Sequence, residues 1–431
     1  MTRSGIRLPV AGLATLALAA GLTACSSSAS EEAQGAPARP APVALDAVQT
    51  PDEVKVGVLV SLTSAPGEGS DWSKAAEGAR VAAYRFGLGD VSVTLRPMDD
   101  KGTSKGAAAA VQRLASDGVS GIVVASEGDH VRAAVDAAAK AGIPVLLPYE
   151  TDAAGLPDHA WVTGPDRAQV AAALTSALSD RGVSRPALVD AGGGKPAGMS
   201  PSASYRFHAG DDPTKLADAI AKQAGAGKGP DSVLVSGPAQ LQATVVQALQ
   251  GANVTLPVFL TPDALSPAFA TTLAGLDGTL SGSLTTVGPD AGDVAAMGSG
   301  DDGQALSAYF AALRATAGDS KVTDFFDGQP FATVSDAADT RSHDAVVALV
   351  AAAAKAGSVA PEDVADALAG LQVTHADGLA GPSLDFSSPD ALADDEVAVL
   401  QASTQSPGLR PVAATPGPPA PQLFWFTAPS S

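Results

Sequence analysis

The feature that most restricts this chain is a repeated alternation of short apolar runs with segments of helical period. Residues 55–62 (KVGVLVSL) are almost continuously apolar, which suits a strand buried on both faces. Downstream, Ala79, Ala82, Ala83 and Phe86 recur at i, i+3, i+4 and i+7, which predicts a helix over 73–86 with one apolar stripe. Residues 91–96 (VSVTLR) alternate and are β-branched, so they read as a strand. A helix over 104–117 stops at Gly118, a strand follows at 121–125 (GIVVA), a helix over 129–141 closes at Gly142, and 143–147 (IPVLL) is again a strand. This β-α-β rhythm demands a parallel sheet with helices on both faces and right-handed connections.

The rhythm restarts after Trp161-Val162-Thr163. A helix is predicted over 166–180, strands at 187–190, 204–208, 232–236 and 258–261, and helices over 213–224 and 238–250. Two α/β units in series result. Between 191 and 198 (AGGGKPAG) the usual helix is missing, and Lys195 is no P-loop lysine because Pro196 follows it. Residues 278–287 read as a strand, followed by helices over 301–316, 342–356 and 361–369. A hairpin of 382–386 (PSLDF) with 397–401 (VAVLQ) is expected to close the fold, and the mixed stretch 318–341 to loop outward. Phe424, Trp425 and Phe426 are too apolar for a free tail and are expected to dock on the body.

Cys25 is the only cysteine. Arg3 and Arg7 precede an apolar run over 8–22, too short for a membrane span, and together these read as a secretory leader. Leu22-Thr23-Ala24-Cys25 resembles the bacterial lipobox, which implies cleavage after residue 24 and a lipid on Cys25; a chance cysteine behind an ordinary leader is the alternative. Residues 25–52, rich in Ser, Ala and Pro, read as a flexible tether. With one thiol no intramolecular disulfide is possible, so the exported fold must rest on its core. The 46 acidic and 26 basic residues give a net charge of −20, which disfavours nucleic acid and offers no basic patch for anionic lipid.

Several phrases then fall into one order: KVGVLVSLTSAPGEGSDWSKAAEGARVA, PMDDKGTSKGAAAAVQRLASDGVSGIVVASEGDH, AAKAGIPVLLPYETD, VTLPVFLTPDALSPAF, SHDAVVALVAAAAKAGS and GLAGPSLDF. Together, over about 54–401, they resemble the extracytoplasmic solute-binding receptors of ABC transporters, of the branched-chain amino-acid (leucine/isoleucine/valine) type. The resemblance implies a type I periplasmic-binding-protein fold: α/β, with two doubly wound parallel-sheet lobes joined by a three-strand hinge. It places the crossovers near Gly164, Gly288 and Thr404, with a first lobe of 53–163 plus 289–403 and a second of 164–288 plus 404–431. It implies capture of a small polar solute in an interlobe cleft, delivery to ABC permease subunits, no cofactor, and attachment to the cell membrane by the N-terminal lipid. A ligand-sensing receptor, or a degenerate binding fold serving as an envelope scaffold, is the other reading. Catalysis is not expected. His130, His159, His208, His343 and His375 are far apart with no metal-ligand spacing, and neither G-x-S-x-G nor S-x-x-K occurs.

Ligands of such a fold sit at the C-terminal ends of the strands. The first loop there offers Ser64, Asp71 and Trp72, of which Trp72 best suits a cleft wall. The second (ASEGDH) offers Ser126, Glu127 and Gly128, where amino-acid-binding relatives place a serine on the ligand carboxylate; Glu127 would repel that group. Glu127 or Asp129 capping the next helix is the plainer alternative. The third (PYETD) offers Tyr149, and Thr151 at the position of the relatives' ligand-binding threonine. Asp263 stands where relatives bind the ligand ammonium. These acids suit a cationic or hydroxyl-rich solute better than a zwitterion.

Overall fold

In the computed structural model the apolar run near residue 55 forms the central strand β1 (Val54–Val60), whose side chains alternate between two buried layers. The structure describes residues 41–46, 48–225, 229–280, 283–289, 292–393, 395–414 and 422–427; the leader, Cys25 and the first part of the tether lie outside the described residues. Val54, Val56, Val58 and Val60 face one layer, and Leu59 faces the other with Ile122 and Val124. β2 (Val93–Asp99), β3 (Gly121–Val124), β4 (Val145–Leu147) and β5 (Ala160–Val162) complete a parallel sheet of order β2-β1-β3-β4-β5. Helices α1 (Gly78–Leu88), α2 (Ser104–Ser116) and α3 (Val131–Lys140) connect the first four strands.

A second body repeats the plan. After α4 (Arg167–Asp180) come β6 (Pro186–Asp190), β7 (Ala203–Arg206), α5 (Pro213–Ala224), β8 (Ser232–Ser236), α6 (Ala239–Gly251), β9 (Val258–Leu260), α7 (Pro267–Gly275) and β10 (Leu284–Gly288). The parallel part of its sheet runs β7-β6-β8-β9-β10, the same winding as the first. As expected, β6 passes to β7 through residues 191–202 with no helix between them. The chain then returns to the first body as α8 (Asp301–Gly318), α9 (Thr340–Ala356) and α10 (Pro361–Leu368), where α9 packs on α1 and β1. It therefore passes between the bodies after β5, after β10 and before the last strands.

Four expectations need correction. The tether does not extend to residue 52: Leu45 is buried, its N–H donates to the Arg85 carbonyl at 3.0 Å, and Arg85 Nε donates to the Val43 carbonyl at 2.9 Å, because the apolar Val43 and Leu45 gain more by packing than by staying in water. The segment 382–386 and the segment 397–401 do not pair. β11 (Gln372–Val373) pairs instead with β12 (Leu384–Asp385), while β13 (Ala398–Ser403) lies antiparallel between β10 and β14 (Phe424–Thr427). β13 gains a four-residue register on each side that way, against the two residues β12 can offer. The chain has thus joined the second sheet by Ala398, upstream of Thr404. Nor does 318–341 loop outward: Phe331 is fully buried and Phe325 nearly so, with the Arg80 guanidinium 4.4 Å from the Phe325 ring centre. Burying each ring gains ~2–3 kcal/mol, which outweighs the polar surroundings. The aromatic end does dock: Phe424 is buried and Trp425 meets Phe269 of α7.

Candidate functional site

In each sheet the first strand of the unit sits between the second and the third, so the winding reverses there and the loops leave toward opposite faces. The crevice at such a reversal is where open α/β sheets present their functional groups. From the first body, the loop after β1 makes two short 3₁₀ turns, Ser70–Trp72 and Ala75–Glu77, before α1 begins. They set Trp72 against Tyr149 of the loop after β4, ring centres 4.4 Å apart and nearly parallel. The Trp72 Nε1–H donates to Glu127 Oε2 at 2.9 Å. Gly69, at φ +90°, allows the turn, since a Cβ there would fall 2.1 Å from Ser126 Oγ.

The opposite side of the ring pair is set by the start of α9. Asp339 caps that helix by accepting from the Ser342 N–H at 3.0 Å. It also accepts from the Tyr149 hydroxyl at 3.0 Å, and Tyr149 and Ser342 share a 2.6 Å hydrogen bond. Arg341 is thereby projected onto the rings, its guanidinium carbon 4.3 Å from the Trp72 centre and 4.6 Å from the Tyr149 centre. Gly78 permits this, because a Cβ there would lie 1.9 Å from the Asp339 carbonyl oxygen.

The second body meets the cluster directly. Gln240 in the first turn of α6 donates to Asp71 Oδ1, and the Ser266 hydroxyl donates to the Asp71 carbonyl at 2.8 Å. Gly67 lies against the Pro238 ring. Asp263 occupies a 3₁₀ turn (Pro262–Leu265) after β9 and accepts from Thr261 Oγ1 at 3.1 Å. Burial pushes Asp71 up to about 6, with Asp263 adding to the rise and the Gln240 hydrogen bond opposing it. Burial, and then the neighbouring Asp263, raise Glu127 well above the usual carboxylate range. Burial also raises Asp263, against the pull of Thr261 and Arg341. Buried acceptors are left over at this seam: Glu127 Oε1, Gln240 Oε1 and Asp71 Oδ2 make no hydrogen bond of normal geometry. The Ala239 N–H at the start of α6 attracts Asp71 without forming one.

Of the residues singled out from sequence, Trp72, Glu127, Tyr149 and Asp263 come together here. Gly128 adjoins them, its N–H donating to Glu150 Oε1 at 3.2 Å. Ser64 accepts from the Ser70 N–H and braces its own loop. Ser126 is fully buried behind the seam, 2.8 Å from Ser61 Oγ and 3.2 Å from His130 Nε2. That imidazole bridges Asp100 and Glu68, each at 3.0 Å. Thr151 borders a separate cavity of about 360 Å³, with Asp152, Arg167 and Asp390. Asp129 is exposed, and no side chain caps α3. Sequence reading missed Arg341, Asp339 and Gln240. For the first two, the capping signal was available in Asp339 just ahead of an apolar run; Gln240 carried no signal within an ordinary helical pattern.

A family profile described as "Periplasmic binding protein" matches residues 53–407. No curated protein matches by sequence. Among solved structures, the chain resembles the branched-chain amino acid transporter substrate binding protein LivJ of Streptococcus pneumoniae, in complex with isoleucine, at 18% identity and TM-score 0.59, covering 82% of this chain and 96% of that one. The leucine binding protein LivK of Thermotoga maritima matches at 17% identity and TM-score 0.59, covering 81% and 95%. A fatty acid ABC transporter substrate-binding protein of Thermomonospora curvata matches at 14% identity and TM-score 0.60, covering 85% and 93%.

Proposed function

The chain belongs to the periplasmic binding protein family, and from that premise we propose that it captures a small polar solute between its two bodies outside the cytoplasm and delivers it to an ABC permease. The observation that carries this reading is the convergence of Trp72, Glu127 and Tyr149 from the first body on Gln240 and Asp263 from the second, at the reversal point of both sheets. Contacts made by both bodies exist only when they are shut, so a solute bridging them favours closure. We take Cys25 as the lipid-bearing residue and residues 26–40 as its tether, since from Pro42 onward the chain is held by Arg85 and Leu45 is buried. Trp72, Glu127, Tyr149 and Asp263 serve as direct contacts. Gly128 adjoins them and Ser126 acts from behind, while Ser64 braces the Ser70–Trp72 turn and Thr151 lines the separate cavity. No step of this function is catalytic.

One observation favours a second reading, an envelope scaffold that has given up capture. The seam is filled by the protein's own groups, with Arg341 on the rings and Gln240 on Asp71. A thermal-shift screen over amino acids, amines, sugars and carboxylates separates the two. Capture predicts a solute that raises Tm, and Asp263→Ala then loses about tenfold or more in affinity through the missing charged contact. A flat screen supports the scaffold; undiminished affinity in Asp263→Ala removes that residue from the site.

A further inference from the structure

The seam between the bodies is short of hydrogen-bond donors. Asp71 is only 3% exposed, yet its Oδ2 has no hydrogen bond of normal geometry; Glu127 Oε1 and Gln240 Oε1 are also shut from solvent and unpartnered. Buried acceptors without donors are costly and rare, so a cluster of them marks a place built for something that supplies N–H groups. Charge agrees. Asp71, Glu127 and Asp263 face one another, with Asp339 and Glu150 beyond, and Arg341 is the cation set among them. That guanidinium is spoken for by Asp339, 3.3 Å away. Its stacking against Trp72 and Tyr149 also displays the kind of group this surface accepts.

Resting on the capture reading above, we propose that the solute is a small organic cation with several N–H donors, an ammonium or guanidinium compound, held by Asp71, Glu127 and Gln240 against the Trp72–Tyr149 wall. Such a guest supplies donors to the orphan oxygens and a positive charge to the acids. The same acids hold protons in its absence: Asp71 is pushed up to about 6 and Glu127 is raised well above the usual range, both by burial, with Asp263, Glu150, Asp339, Tyr149 and Arg341 as their ionisable surroundings. A cation therefore displaces protons as it binds.

Agmatine and putrescine are the probes, with choline, isoleucine and benzoate as comparators. Binding is read by thermal shift, by intrinsic tryptophan fluorescence and by calorimetry at pH 6 in phosphate and in Bis-Tris. The expected result is binding of an amine with proton release, choline at least tenfold weaker, and at least tenfold loss in both E127Q and D71N while their unliganded Tm shows them folded. Choline equal to the amines overturns the N–H requirement, and unchanged affinity in both folded variants overturns the residue assignment. Isoleucine or benzoate binding where the amines do not overturns the cationic ligand and leaves capture standing. No binding by any of the five overturns both.

Discussion

The carboxylates packed inside this protein set its response to pH. Asp71, Glu77 and Glu150 keep their protons to about 6, 7 and 7 in the folded chain, against 3.8, 4.5 and 4.5 for the free side chains, each chiefly through burial. Between those values the folded state binds more protons than the unfolded state, so stability falls as pH rises from about 4 to about 7. His130, raised by Asp100 and Glu68 against its burial, acts in the same direction: its contribution is present below 6.5 and is lost as pH climbs through the folded value. His343, lowered by burial, opposes them by costing stability as pH falls below 6.5. The acids outnumber it. Without added solute, Tm at pH 5 is expected to exceed Tm at pH 8 by several degrees, since each acid is worth of order 1–3 kcal/mol; a higher Tm at pH 8 would contradict the burial described. Glu127→Gln removes one such charge while its amide oxygen still accepts from Trp72, so this variant should melt higher than the parent at pH 8. Tyr149→Phe works the other way. It strips Asp339 and Ser342 of a buried partner and should cost ~1–2 kcal/mol by urea unfolding.

Elements were legible where a local pattern sufficed and illegible where a distant partner decided. The apolar run at β1 and the striped helix α5 declared themselves because their patterns follow directly from burial. The strand Ala398–Ser403 could be seen, but its neighbours could not, since β10 and β14 lie far off in sequence. Phe325 and Phe331 were hidden among Gly, Asp and Gln in a stretch without period. Of the site, the aromatic and acidic groups in loops stood out by type. Arg341 and Gln240 did not, because each looks like a solvated helix residue until the opposing surface is known. β14 makes a prediction at this scale. Deleting 422–431 uncovers the edge of β13 and the Phe424 and Trp425 contacts, so the truncated protein should melt at least several degrees lower and aggregate faster. An unchanged Tm would mean that the strand is not docked in solution.

At the scale of the molecule, two bodies of identical winding meet across a seam made of their own loop residues, and three passages of chain join them. Capture requires that this seam open. Lys74 and Thr271 are both exposed and lie one in each body, near the contact of the Ser70–Trp72 turn with α7. Because Cys25 is the only cysteine, a Cys25→Ser background with cysteines at 74 and 271 takes fluorescent labels cleanly. Single-molecule energy transfer between them reads the opening directly. The expected result is two exchanging distances without solute, collapsing to the shorter one when a bound organic cation, amino acid or carboxylate is present. One fixed distance, unmoved by every solute in that panel, would contradict a capturing cleft.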